Sequence, residues 1–500
     1  MFAFCRCVRA AATRRHVGIV LGRRVASSRG IGVDSRRTYS LTSAQPHASD
    51  TIYALSSHPG KSAVAVVRIS GPLTQSILQR MVPSALSIRP RHALLTKLVH
   101  PNDPSSVLDT CLCLWFPRPR SFTGEDMAEF HVHGGTAVVS AVLKSLQLDG
   151  VRMAERGEFS RRALDNGKMD LTALEGTADL LNAETEAQRR LAVRQSRGEL
   201  HQLYEQWRCT LVDLLAQLEA YIDFSEDENI EDDIYPSVRG RASKLLRAVA
   251  AHLNDERRGE ILRNGIALAI VGPPNSGKST LLNKLARRQV AIVSPLEGTT
   301  RDVVEATLDI GGYPVVVQDT AGLRRSSDII ETEGIRRAVE SARAADIRIF
   351  MLDVQALASA EWLDLLRLPH TFVVFNKTDT VRSERTIERA KQWAHSVGAP
   401  ALFISCATNA GWSELVDKLA AHIRGSWESS DKTQMPLTNA RHREHLERCM
   451  AHLVAFEQVD DVVLAAEELR RAADALGRIT GRMEIEDVLD ALFGQFCIGK

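Results

Sequence analysis

The 500-residue sequence contains no Cys-x-x-Cys pair. Its eight cysteines are scattered, which argues against both a disulfide framework and a zinc site and predicts reduced thiols in a cell interior. No apolar run approaches the ~20 residues that a membrane helix needs, so no membrane insertion is expected. Net charge is also scarce: 63 Lys and Arg stand against 62 Asp and Glu, a formal net charge of +1. A chain so balanced exerts little long-range pull on phosphate, so any nucleic acid partner must be held by a local basic surface. With 44% hydrophobic and 25% charged residues the composition is that of a globular protein. The length suits about three domains.

Acid is missing altogether from the first 33 residues, which hold seven arginines (Arg6, Arg9, Arg14, Arg15, Arg23, Arg24, Arg29) among Ala, Val and Ser. A secretory signal needs an unbroken apolar core, and here arginines interrupt it. The composition matches a mitochondrial transit peptide, residues 1–48, with a mature chain starting near Thr51 and a destination in the matrix. A disordered basic arm that binds RNA is the other reading.

Beyond this leader the pattern falls into four stretches. Residues 49–168 alternate β-rich runs (Thr51 to Ser70 with a Pro-Gly turn, Cys111 to Phe116, Ala128 to His133) and predict a compact α/β domain. Residues 169–263 carry leucines at helical spacing, interrupted by the acidic run Glu226, Asp227, Glu228, Glu231, Asp232, Asp233. That run reads as a solvated loop, with a metal site as the sharper alternative. A further helix is expected from about Ser237 to Leu262. Residues 264–425 alternate apolar strands (IALAIVG, PVVVQD, IRIFMLD, TFVVFNK, ALFIS) with helices, the pattern of a doubly wound, mainly parallel sheet. Residues 426–500 return to helix. A sheet domain inserted into one helical domain, built from two chain segments, explains the order.

The chemistry concentrates at the ends of those strands. Gly272-Pro-Pro-Asn275-Ser276-Gly277-Lys278-Ser279 follows a strand and, with Thr280, opens a helix, the context a P-loop requires. Backbone N–H groups of such a loop cradle phosphates, Lys278 reaches the β- and γ-phosphates, and the Ser279 hydroxyl suits Mg²⁺. Asp319-Thr-Ala-Gly322 ends the strand Val315 to Gln318, where the carboxylate would hold Mg²⁺ through water and the Gly322 N–H would sense the γ-phosphate. Asn376-Lys377-Thr-Asp379 ends another strand. Its Asp carboxylate can accept from both N1–H and the 2-amino group of guanine, a donor pair adenine lacks. Ser405-Cys406-Ala407 follows a further strand, where a backbone N–H would meet guanine O6. Together they predict a GTP-hydrolysing, Ras-like P-loop domain. After Gly322 comes Leu323, which cannot orient a nucleophilic water, so a carboxylate elsewhere must do so. Glu331 is the nearest candidate and Asp328 the second.

With Gly298-Thr299-Thr300-Arg-Asp302, Asp319-Thr-Ala-Gly-Leu-Arg324, Phe122-Thr-Gly-Glu-Asp126, Asn166-Gly-Lys168 and Cys497-Ile-Gly-Lys500 in view, the sequence resembles the MnmE (TrmE) family of tRNA-modification GTPases, from Thr51 to Lys500. That resemblance implies a folate-binding N-terminal domain that also forms a homodimer. It implies an MnmG (GidA)-type partner carrying FAD, and a tetrahydrofolate derivative (5,10-methylene or 5-formyl) as one-carbon donor. The product would be a taurinomethyl or carboxymethylaminomethyl group on C5 of the wobble uridine of mitochondrial tRNA. It also implies activation by K⁺, held by Asn275, Ser294, Leu296 and Thr299, with Thr300 on Mg²⁺ and Glu331 positioning water; a cation at the phosphates offsets charge that develops in phosphoryl transfer.

For folate the matched positions are Arg68, Glu129, Lys168 and Lys500. Without the resemblance, each alone reads more readily as a surface charge. Cys497 is either a reactive thiol beside Lys500 or a packing residue. His131 and His133 share one strand face without a third ligand, which favours packing or pocket lining over metal. Cys406 and Arg325 depart from the family's usual Ala and Glu. Competing functions are a GTPase switch for mitochondrial ribosome assembly, which would call for an appended RNA-binding module, and a folate-dependent transferase in which GTP is only structural.

Overall fold

In the computed structural model the described residues are 50–84, 88–224, 234–288, 306–317, 339–356, 362–398, 400–427, 435–481, 489, 492–494, 496, 498 and 499. Strands β1 (Thr51–Leu55), β2 (Ser62–Ser70), β3 (Leu94–His100), β4 (Asp103–Phe116), β5 (Met127–Gly134) and β6 (Val151–Met153) form one sheet in the order β3-β4-β5-β2-β1-β6. All its pairings are antiparallel except β1 with β6. Only one face is buried in full: Val67, Ile69, Cys111, Cys113, Phe130 and Val132 point into a core shared with the helices Thr74–Met81 and Thr136–Ser145. The opposite face exposes Val64, Leu95 and Leu112, the half-solvated condition that antiparallel sheets tolerate. β4 begins earlier than Cys111, because its polar first half pairs with β3 through backbone groups that side-chain alternation does not report.

Helices Leu171–Leu181, Glu186–Ser196 and Glu199–Phe224 follow, then Ile234–Leu253 and Arg258–Asn264. The helix expected over Ser237 to Leu262 is therefore two. Glu256 and Arg257 adopt φ of +52° and +58°, which an α-helix cannot accommodate. The helices Ala440–Gln458 and Val462–Thr480, from the far side of the second sheet in sequence, pack on Glu199–Phe224 and Ile234–Leu253 in one core that includes Tyr204, Leu211, Leu218, Val249, Leu446, Leu453, Phe456 and Leu469. Truncating one such leucine to Ala costs about 2–5 kcal/mol.

Buried charge ties the same two segments. Glu175 accepts from Arg441 Nη2 at 2.9 Å and pairs with His442 Nε2 at 2.7 Å, while Arg443 bonds Asp255 and Glu260. Burial pushes the Glu175 carboxyl upward, but the combined pull of His442 and Arg441 holds it below the usual carboxylate range.

Between those helical segments lies the second sheet: β7 (Ile266–Val271), β8 (Ala306–Ile310), β9 (Tyr313–Val317), β10 (Ile347–Asp353), β11 (Thr371–Asn376) and β12 (Ala401–Phe403), in the order β12-β11-β10-β7-β9-β8. Every pairing is parallel except β8 with β9. All residues of β11 are buried, as expected of a strand covered by helices on both faces. The fold class read from the sequence is the one observed: an α/β unit, a helical unit drawn from two segments, and an inserted doubly wound P-loop domain. No helix among the described residues is long and apolar enough to cross a membrane.

Candidate guanine-nucleotide site

The carboxyl ends of β7, β11 and β12 converge, as ligand sites do in open parallel sheets. From β7 the chain enters the P-loop. At Gly272, φ +142°, a Cβ would lie 2.1 Å from Met351 O on β10, so only glycine lets the loop leave the sheet this close. The helix Lys278–Arg288 then begins. Lys278 Nζ donates to the carbonyls of Gly272 at 2.9 Å and Pro273 at 2.8 Å. It has no carboxylate partner among the described residues, and burial lowers its pKa. Ser276 is buried with its Oγ unpaired. A half-buried ammonium beside an orphaned hydroxyl, at a helix N-terminus, fits a polyphosphate. Ser279 and Thr280 are exposed at the same end, where a Mg²⁺ ligand must be accessible. Asn275 sits at the loop's outer edge with φ +59°.

Asn376, at the end of β11, joins three loops. Its Nδ2 donates to Ser276 O at 2.9 Å and its Oδ1 accepts from Cys406 N–H at 3.0 Å. Lys377 Nζ pairs with Asp353 Oδ2 at 2.9 Å, and Ser405 Oγ donates to Asp379 Oδ1, aligning that carboxylate. In the loop after β12, the Ser405 N–H is taken by Ala410 O and that of Cys406 by Asn376. The Ala407 N–H has no partner among the described residues and is the one available for guanine O6. Lys284 Nζ donates to Cys406 O at 2.9 Å and lies 5.2 Å from the Trp412 ring, a brace the sequence motifs did not announce. Burial raises the Cys406 thiol pKa, so the thiol stays protonated.

Ser294, Leu296, Thr299, Thr300, Asp319, Gly322, Leu323, Asp328 and Glu331 lie outside the described residues, as do residues 1–48, the acidic run from Glu226, Cys497 and Lys500.

A second constellation sits on the first sheet. Arg68 on β2 donates from Nε to Glu129 Oε1 at 3.0 Å and from Nη1 to Gly499 O at 3.2 Å. Its guanidinium lies 5.6 and 5.7 Å from the Phe122 and Phe159 ring centroids. Gly499 reaches it because a Cβ there would lie 2.5 Å from Leu55 O, and Ser56 Oγ also donates to the Gly499 carbonyl. Glu129 Oε2 faces His131 Nε2 at 3.2 Å, whereas His133 pairs separately with Asp109. Lys168 rests on the 117–126 loop, its Nζ on Pro119 O at 2.8 Å. Both oxygens of Glu129 are thus engaged, so a ligand with pterin-like donors would have to exchange with Arg68 or His131.

A family model described as "MnmE helical domain" matches residues 171–497, and one described as "GTP-binding protein TrmE N-terminus" matches residues 51–168. The chain belongs to the MnmE (TrmE) family. It is similar to the "5-taurinomethyluridine-[tRNA] synthase subunit GTPB3, mitochondrial" of Danio rerio, 46% identical over 90% of this chain and 93% of that protein. It is likewise similar to "tRNA modification GTPase MnmE" of Parvibaculum lavamentivorans and of Rickettsia typhi, 47% and 43% identical over 90% of this chain and all of theirs. Among solved structures, the G domain of the T. maritima FeoB iron transporter aligns with 31% of the chain at 25% identity and a TM-score of 0.23, too slight a likeness to carry an argument. With its P-loop and guanine loops in place, this MnmE-family chain is a GTP-hydrolysing enzyme that binds its nucleotide with Mg²⁺.

Proposed function

We propose that the chain is a mitochondrial tRNA-modification GTPase, acting on C5 of the wobble uridine to install a taurinomethyl or carboxymethylaminomethyl group. In this reading GTP turnover is stimulated by K⁺, held by Asn275, Ser294, Leu296 and Thr299, with Thr300 on Mg²⁺ and Glu331 positioning the attacking water. A tetrahydrofolate derivative donates the one-carbon unit from the site of Arg68, Glu129, Lys168 and Lys500, Cys497 stands beside it, and an MnmG-type partner supplies FAD. The 49–168 unit forms the homodimer, and the exposed apolar sheet face around Val64, Leu95 and Leu112 is in keeping with that. The remaining units run 169–263, 264–425 and 426–500.

The observation that carries the reading is the joining of P-loop and base loops by Asn376, in a chain alignable over nine-tenths of its length with a mitochondrial taurinomethyluridine synthase subunit. The leader composition supports the compartment. Mass analysis of wobble nucleosides in mitochondrial tRNA from cells lacking this protein tests it: the C5 modification should disappear. An unchanged nucleoside profile with lost ribosomal subunits would instead favour the assembly switch.

A further inference from the structure

Five Lys and Arg side chains and one histidine meet on one surface of the first domain, and none of them forms an ion pair among the described residues. The turn through Arg89, Arg91 and His92 folds against the end of β4 and the loop after it: Arg91 N–H donates to Trp115 O at 2.8 Å, and Arg91 Nη2 to Arg120 O at 2.6 Å. Lys168 closes the other flank of that loop through Pro119 O. Arg89, Arg91, His92, Arg118, Arg120 and Lys168 are all exposed. The hydrogen bonds their side chains make go to carbonyl oxygens, and none of the six enters an ion pair among the described residues. Of the adjacent acids, Asp126 accepts the backbone N–H of Arg118, and Glu125 is committed to Ser70 and Arg162.

Carbonyl acceptors orient a guanidinium without neutralising it. Cations gathered in this way repel one another, and a polyanion would offset that cost. We propose that this face binds the phosphodiester backbone of RNA, namely the tRNA of the proposed function, on which this inference rests. The planar forks of Arg match phosphate oxygens, and no Phe, Tyr or Trp is among the six, so the contacts mainly position rather than read sequence. A protein partner fits less well, because the patch has no apolar centre of the kind an interface core needs. Phe122, two residues past Arg120, packs under Arg68, so RNA held here lies beside the Arg68–Glu129 constellation. This is the local basic surface that a chain of formal net charge +1 requires.

The test is binding of the full chain to an unmodified mitochondrial tRNA transcript across a salt series. The Arg89→Ser/Arg118→Ser/Arg120→Ser variant removes side chains that make no hydrogen bond among the described residues, so the fold should persist. Arg382→Ser/Arg385→Ser/Arg389→Ser, exposed in the GTPase domain, is the equal-charge control. The slope of log K against log salt should fall by about 2–3 in the first variant, and affinity near physiological salt by about 10- to 100-fold. The control and both basal GTPase rates should match the native chain. Native affinity and slope in the first variant would overturn the assignment while leaving the tRNA reading standing. Absence of tRNA binding by the native chain would overturn both. Loss of polyglutamyl-folate binding with tRNA binding intact would overturn it in favour of a folate tail.

Discussion

Replacing Asn376 with Ala should disable nucleotide binding without unfolding the domain. Asn376 is only 3% exposed and spends both ends of its amide on other loops, so its removal strands Ser276 C=O and Cys406 N–H. A buried polar group left unpaired costs about 1–3 kcal/mol; with water recovering part of the loss, the pair costs about 2–4 kcal/mol. The core beneath, Val374 and Phe375 on β11, is untouched. If the loss falls mainly on the bound state, the Kd for GTP rises about 30- to 1000-fold. Titration calorimetry with GDP and a non-hydrolysable GTP analogue measures this, and thermal unfolding with and without nucleotide separates affinity from stability. Asn376→Asp sharpens the test: it keeps an acceptor for Cys406 N–H but sets a carboxylate oxygen against Ser276 O, so affinity should not recover. A Kd within about threefold of native, alongside a lowered melting point of the free protein, would refute the reasoning and reduce Asn376 to a packing residue.

Two further outcomes are expected. Asn275→Ala should abolish the K⁺ response of GTP turnover while leaving nucleotide affinity mostly intact; equal turnover of the native chain in K⁺ and Na⁺ would remove the basis for a K⁺ site. Acid should loosen the helical domain between about pH 6.5 and 4. Burial beside Tyr204 drives the His252 pKa down to about 4, so the folded state keeps it neutral while the unfolded chain protonates near 6.5. Its contribution is therefore full above about pH 6.5 and is lost at roughly 1.4 kcal/mol per pH unit as pH falls toward 4. Glu175, held below its ordinary range, adds to this only in stronger acid. Urea unfolding of His252→Gln should show a flatter pH dependence over that window; an unaltered slope would assign the effect elsewhere.

The strand-end motifs were legible because each is local: Gly272 to Ser279, Asn376 to Asp379 and Ser405 to Ala407 each sit within eight residues. So was the division of the helical domain, since leucine spacing survives an insertion. What sequence could not convey is pairing at a distance. Nothing in Asn376 announces that its amide spans Ser276 and Cys406, nor in Arg91 that it lies against Arg120. The break after Leu253 was invisible because Asn254 to Arg257 contain neither Gly nor Pro, and the chain turns there through two non-glycine residues at positive φ.

Arg68 and the Gly499 carbonyl are separated by 431 residues of chain. A ribosome delivers Glu129, the first acceptor of that guanidinium, early, but the first helical segment and the whole GTPase domain come before the second acceptor exists. The first domain can therefore collapse early around its own apolar core, yet its Arg68 constellation is finished only when translation has passed residue 499. A product truncated before residue 499 would lack the carbonyl on which Arg68 Nη1 rests.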